Sequence, residues 1–309
     1  MEKPPAVIPI DGGRQLFVDD FLVEDSWWVR VYHRPVKYPG NPVFFPQTEW
    51  ERNDHQAPCT VPKCGGIWYD EQDGLFKMWY MASYLGAMAY AVSTDGIRWE
   101  RPILDVVPGT NLILPPSIRP DSGTAWLDKE TSDATQRYKL FIREPGGHFG
   151  GLLFVSSDGI HWSEPVRTGP MDDRSTMFYN PFRRKWVHSI RATHPQQRRC
   201  RRYWEADEFL KSGDWKEGEP GFWAMADPLD ETREMPAELY NLDAVAYESL
   251  LVGFFQILKG PPNYFGSLVG EPKLTELGLA TSRDGFHWYR PDRTAFLEAR
   301  REPGSWEFG

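Results

Sequence analysis

The sequence predicts an all-β protein, a five-bladed β-propeller. Three observations carry this: a ten-residue phrase present in three copies, a fixed step between copies, and enough aromatic side chains to wedge sheets together. The phrase reads Ser93-Thr-Asp95-Gly96-Ile-Arg-Trp99-Glu-Arg-Pro102, then Ser156-Ser-Asp158-Gly159-Ile-His-Trp162-Ser-Glu-Pro165, then Ser282-Arg-Asp284-Gly285-Phe-His-Trp288-Tyr-Arg-Pro291. In each copy a strand end leads into an Asp-Gly turn, which suits positive φ, and the Trp three residues on has a large face to pack on a neighbouring unit. Trp162 follows Trp99 by 63 residues and Trp288 follows Trp162 by 126, twice that step. A fourth unit whose phrase has decayed is therefore expected between them, with Trp215 and Trp223 flanking its place. A step of this length with one hairpin phrase per unit indicates radially repeated four-stranded sheets. With 14 Trp and 15% aromatic residues, the chain can fill the seams between such sheets.

Taken in order, Met1 to Asp11 is an extended, Pro-rich lead. Arg14 to Glu24 reads as one strand, and Trp27 to Arg34, alternating through Val29, Val31 and His33, reads as a second. The step then sets repeat units at about 40–102, 103–165, 166–228 and 229–291 within a single domain spanning 1–309. The first 39 residues and the last 18 together approach one more unit, so the closing blade is expected from both chain ends, a device that removes open strand edges. The alternative is a truncated fifth blade.

A second alignment runs through the units. Asp70, Asp128, Asn180 and Glu248 mark one equivalent hairpin turn, and reading back from it gives Lys63, Asp121, Asp173 and Asn241 at the start of each first strand. First strands line a propeller's axis, so these positions converge at one mouth of the channel. Glu238, three residues before Asn241, enters the same strand, and the returning strands add Met81, Arg143, Arg191 and Gln256. Arg174 lies beside Asp173, and His55 lies upstream in the first unit. Carboxylates converging on a cleft suit glycosidic bond cleavage, in which one carboxyl donates a proton to the leaving oxygen and another stays ionised. Glu238, between Met235-Pro236 and Leu239-Tyr240, is the expected acid, and Asp173, beside Arg174, is the expected anion. Asp121 completes the set. Lys63, Arg143, Arg174, Arg191, Asn241, Gln256 and His55 are the expected substrate-binding groups.

A formal net charge of −9 disfavours nucleic acid as a partner. The basic run Arg198, Arg199, Arg201 and Arg202 reads as a solvated face. Cys59, Cys64 and Cys200 form neither a zinc-ligand spacing nor a disulfide framework. The N-terminus carries no signal-peptide pattern and no stretch approaches a membrane span, so a cytoplasmic protein with a carbohydrate partner and no membrane partner is expected. No cofactor is expected beyond a structural Ca²⁺ that Asp121 or Asp173 would hold.

The repeat phrase, the aromatic-rich blades and the axial acids resemble the five-bladed propeller glycosidases: glycoside hydrolase families 32 and 43 and the related mannoside phosphorylases. The resemblance implies an axial acid trio working without a redox cofactor, carried here by Asp121, Asp173 and Glu238. The Asn-Asp-Pro-Asn-type strand, Arg-Asp-Pro triplet and Glu-Cys pair of family 32 do not occur, and blade one offers Lys63 where a plain acid would stand, with Asp19 and Asp20 the nearest substitutes. Three classes follow: a glycoside hydrolase first, a glycoside phosphorylase second, and a non-catalytic carbohydrate-binding propeller third.

Overall fold

The computed structural model describes residues 5–10, 13–53, 57–143, 150–195, 198–230, 235–300, 302 and 305–306. A single helical turn, α1 (Glu49–Arg52), opens the regular structure, held by a capping box between Thr48 and Glu51. Blade one follows with β1 (Thr60–Asp70), β2 (Leu75–Ala82) and β3 (Ala87–Ser93). Blade two holds β4 (Ser122–Leu127), β5 (Tyr138–Arg143), β6 (Gly151–Ser156) and β7 (Val166–Arg167), and blade three holds β8 (Thr176–Asn180), β9 (Lys185–Thr193), β10 (Arg199–Ala206) and β11 (Gly221–Met225). Blade four contains β12 (Glu238–Tyr247), β13 (Leu250–Gly260) and β14 (Leu274–Ser282), with α2 (Asn263–Val269) between the last two. Within each blade, successive strands pair antiparallel.

The fourth strand of blades one and four is reduced to isolated bridges, Ala89 with Leu112 and Val92 with Glu100 in the first, Leu277 with Leu297 and Thr281 with Tyr289 in the other. The sheets therefore run past the repeat phrase: Leu112 still pairs in blade one, and β7 still pairs in blade two. The four inner strands touch in a ring. Cys64 of β1 pairs in parallel with Thr124 of β4. The Thr124 hydroxyl accepts from the Met177 amide at 3.1 Å, and the Thr176 hydroxyl donates to the Leu242 carbonyl at 3.2 Å. Asn241 Nδ2 reaches Cys64 Sγ at 3.5 Å, bringing β12 back to β1.

The three phrases fold alike. In each, the serine hydroxyl accepts from the glycine amide at 2.8–2.9 Å, and the aspartate accepts two following amides, so the turn closes on itself. The glycines take φ of 71, 80 and 79°, in the left-handed region. Their tryptophans are half-buried rather than fully wedged, and the seam is made from the other side. Trp79 of β2, fully buried, donates its indole N–H to the Gly159 carbonyl of blade two at 2.7 Å, and Trp223 of β11 donates to the Phe286 carbonyl of blade four at 2.8 Å. Trp223 thus occupies the place of the decayed phrase while serving as the donor in the seam to blade four.

Charge joins the blades as well. Asp70, wholly buried at the β1–β2 turn, meets Lys77 of its own blade at 2.8 Å, and Arg137 at 2.5 Å and the Tyr138 hydroxyl of blade two. These partners hold its carboxyl far below the usual range, Arg137 most strongly.

Among the described residues, 5–46 and 292–306 contain no strand of length. The segments 14–24 and 27–34, expected as strands, form no strand: the first bends at 18–20 and turns at Phe21 and Leu22, and in the second Trp27 and Trp28 are 94% and 89% exposed. An alternating pattern becomes a strand only when an edge is offered to it. The chain ends nevertheless meet beside blade four through ion pairs: Arg34 with Glu298 at 2.8 Å, Arg283 with Asp19 at 2.8 Å, and Arg14 with Glu248. Asp19 and its neighbour Asp20, which pairs with Arg30, therefore belong to this outer contact and not to the axis.

Two outcomes are expected. Asp70→Asn leaves Lys77 and Arg137 short of a buried partner and should cost about 3–5 kcal/mol in chemical denaturation. Because Asp70 is depressed in the folded state, its contribution is complete above the unfolded carboxylate range and is lost as pH falls through it, so stability of the native chain should drop more steeply than that of the variant below about pH 4. Gly159→Ala should destabilise far more than Gly96→Ala: both turns have positive φ, but an added methyl meets Trp79 at 2.6 Å in the first and nothing nearer than 3.9 Å in the second. Equal melting shifts would refute the seam.

Candidate active site at the propeller axis

The start of each inner strand brings its charge to one end of the axis. Asp121 precedes β4, and its carboxylate pairs with Arg143, the last residue of β5, at 2.8 Å. Asp173 and Arg174 precede β8, and Glu238 begins β12. Arg191 of β9 approaches Asp173 at 3.3 Å and pairs closely with Asp172. Arg199 of β10 lies 3.7 Å from Asp173 and 3.1 Å from Glu238, so one guanidinium serves both acids. Arg143 also reaches Asp172 at 4.0 Å. Carboxylates and guanidiniums thus alternate in an unbroken line, Asp121, Arg143, Asp172, Arg191, Asp173, Arg199, Glu238. The line is mostly shielded but opens at Asp172 and Asp173, whose side chains are 42% and 32% exposed. A polar cleft of about 270 Å³, lined by Asp172, Arg191, Arg202 and Met171, adjoins it.

Further buried charged groups lie beside this line. Arg201 is wholly buried and donates to the carbonyls of Arg174, at 2.6 Å, and Tyr240. Burial pulls its guanidinium down to about 10 despite the nearby Asp243. Asp243 is raised, chiefly by burial, and receives a 2.8 Å hydrogen bond from Asn241. Burial brings the Lys63 ammonium down to about 8, with Cys64 and Asp121 opposing the shift. Tyr240 sits under three cations, Arg199, Lys273 and Arg174, at 4.6, 5.1 and 5.6 Å from its ring centre, and Lys273 donates to its hydroxyl at 3.0 Å.

The structure gathers Lys63, Asp121, Arg143, Asp173, Arg174, Arg191, Glu238 and Asn241. Gln256 pairs in register with Asn241 across β12 and β13 and donates its amide to the Thr275 hydroxyl of β14 at 3.2 Å. His55 lies outside the described residues. Glu238, expected among apolar neighbours, is ion-paired to Arg199 instead. The basic run is not a solvated face: alternation along β10 turns Arg199 and Arg201 inward, where the axial acids and carbonyls receive them. Asp172, Arg199, Arg201, Tyr240 and Lys273 were not singled out from the sequence as site residues, and only the every-second-residue spacing of Arg199 and Arg201 hinted at an inward face. No group of three or more metal-ligating side chains occurs among the described residues, and Asp121 and Asp173 lie beside Arg143 and Arg191.

No family model matches this chain, and no curated protein matches it. Solved structures do. A GH43_12 protein retrieved from capybara gut metagenome superposes with a TM-score of 0.53 at 12% identity, covering 83% of this chain and 48% of that one. A GH43 protein from Bacillus licheniformis gives 0.51 at 12%, covering 86% and 45%, and an endo-1,4-beta-xylanase from Bacteroides thetaiotaomicron gives 0.50 at 10%, covering 78% and 77%. The chain spans about half the length of the first two. It has the fold of the GH43 structures, the five-bladed β-propeller.

Burial alone would raise the Tyr240 phenol, but Lys273, Arg174 and Arg199 more than offset it and hold the group below the usual tyrosine value. In an alkaline absorbance titration one tyrosine should therefore ionise ahead of the rest, and Tyr240→Phe should remove that step. An unchanged titration curve would refute the cation cluster.

Proposed function

We propose that this protein is a glycoside hydrolase acting on an oligosaccharide or glycoside at the axial mouth. The observation that carries the reading is the pair of acids, Asp173 and Glu238, held by the single guanidinium of Arg199 where the mouth opens. Two cations face Asp173 and one faces Glu238. The better compensated carboxylate suits the role that keeps its charge, attacking the anomeric carbon or activating water, and Glu238 suits the role of handing a proton to the leaving oxygen. Asp121, linked through Arg143 and Asp172, is assigned to orienting the sugar. Arg143 and Arg191 each keep Nε buried without a hydrogen-bond partner, a cost that marks the guanidiniums as held in place by their ion pairs with Asp121, Asp172 and Asp173.

A second reading is phosphorolysis. It is favoured by the cations at the mouth that have no acid of their own, which would hold phosphate in place of the hydrolytic water.

Release of aryl leaving groups from a panel of glycosides, run with and without phosphate, tests both. Glu238→Gln and Asp173→Asn should each lower turnover ~10²–10⁴-fold in protein that circular dichroism shows to be folded at the assay temperature. Turnover untouched by both substitutions would overturn the assignment. Sugar binding with no turnover in any condition would favour the non-catalytic carbohydrate-binding reading.

A further inference from the structure

We infer that the axial mouth holds an oxyanion subsite, formed by Lys63, Arg174 and the cation-ringed Tyr240, which receives a carboxylate or phosphate group presented by the sugar or together with it. The identity of the ligand as a sugar rests on the glycoside hydrolase reading; the binding of the anion does not.

Lys63 is 6% exposed, yet among the described residues no carboxylate lies within ion-pair distance of it and no acceptor within hydrogen-bond distance. An ammonium buried in this way lacks the partner that normally accompanies a buried charge. Asp121, the acid it feels most, is taken by Arg143 at 2.8 Å.

Arg174 is the second cation with no carboxylate in ion-pair distance among the described residues; burial opposes its charge, but Tyr240 and, at longer range, Asp121 hold the guanidinium above its usual value. Its backbone is tied on both sides: the amide donates to Ser122 Oγ at 2.9 Å and the carbonyl accepts from Arg201 at 2.6 Å. These bonds hold a non-glycine residue at φ 59°, a conformation that persists only when its surroundings impose it. The guanidinium is set over Tyr240 with no carboxylate in ion-pair distance among the described residues. Arg199, on the same ring, keeps Nη1 buried without a hydrogen-bond partner, and Lys273 adds its charge at the Tyr240 hydroxyl. In a chain of net charge −9, Lys63 and Arg174, which have no carboxylate in ion-pair distance among the described residues, add positive charge beside the already paired Arg199 and the Tyr240-bound Lys273 where the inner strands converge. A neutral sugar hydroxyl compensates none of it. A carboxylate or phosphate does, since its oxygens match the planar fork of an arginine and the point charge of a lysine. The depressed Lys63 supports the same reading, because an anion beside it restores the charged form that burial disfavours.

Calorimetric titration of the purified full chain with glucuronate, inorganic phosphate and glucose at neutral pH tests the subsite. Saturable binding of glucuronate or phosphate, weakened by added salt, with none of glucose, is expected. Lys63→Met and Arg174→Gln should each weaken that binding about tenfold or more. Lys63→Met should melt no lower than the native chain, since it removes an unpartnered buried cation, and this separates lost binding from misfolding. Glucuronate binding assigns an acidic glycan as substrate; phosphate binding assigns phosphate as co-substrate. Binding of neither anion, or binding indifferent to both substitutions, overturns the inference. Cleavage of neutral aryl glycosides without anion binding sinks this subsite alone, whereas anion binding without any cleavage sinks the hydrolase reading alone.

Discussion

Everything at the axial mouth depends on charge compensation in a place with little water. A propeller brings the first strand of each blade to a common axis, so any charge at a strand entry meets the charges of its neighbours. Unpaired, a buried carboxylate or guanidinium is costly; paired in alternation, each offsets the next. The line from Asp121 to Glu238 is that solution, with acids supplied by inner strands and cations by the second and third strands of the same blades. Shared guanidiniums also fix where the acids stand, since moving one carboxylate loosens the ion pair of the next.

The seams between blades follow a different logic. Two of the three Asp-Gly turns offer a backbone carbonyl on which an indole from the preceding blade docks; in the first turn the Gly96 carbonyl accepts from Trp99 of its own phrase. Glycine is needed twice over, for positive φ and for the close approach of the indole; at Gly159 a Cβ would come within 2.6 Å of Trp79. The buried Asp70 cluster adds a charged lock to the first seam. A rigid set of blades positions the mouth, which is where a site with ångström tolerances has to be held.

Much of this was legible in the residues. Three in-phase phrases gave the repeat, because an Asp-Gly turn has few conformations open to it and its serine and aspartate can bond only locally. Alignment on Asp70, Asp128, Asn180 and Glu248 gave Lys63, Asp121, Asp173 and Asn241, because strand direction alternates within a blade and so fixes which end of each strand faces the mouth. The closing ladder expected from both chain ends is not formed among the described residues: alternation at Trp27 to Arg34 states a preference for an extended chain, but pairing needs an edge that local sequence does not supply.

The sequence by itself determined the turns, the strand periodicity and the set of strand-entry acids, all of which depend on neighbours a few residues away. Only the tertiary structure decided which cations those acids meet. Arg199 and Arg201 look solvated in a basic run, and Tyr240 and Lys273 look like ordinary strand and loop residues, until blades three and four close on the axis and bring β10 against β12. Electrostatic partners separated by dozens of residues are set by how sheets pack, and no local pattern encodes that distance.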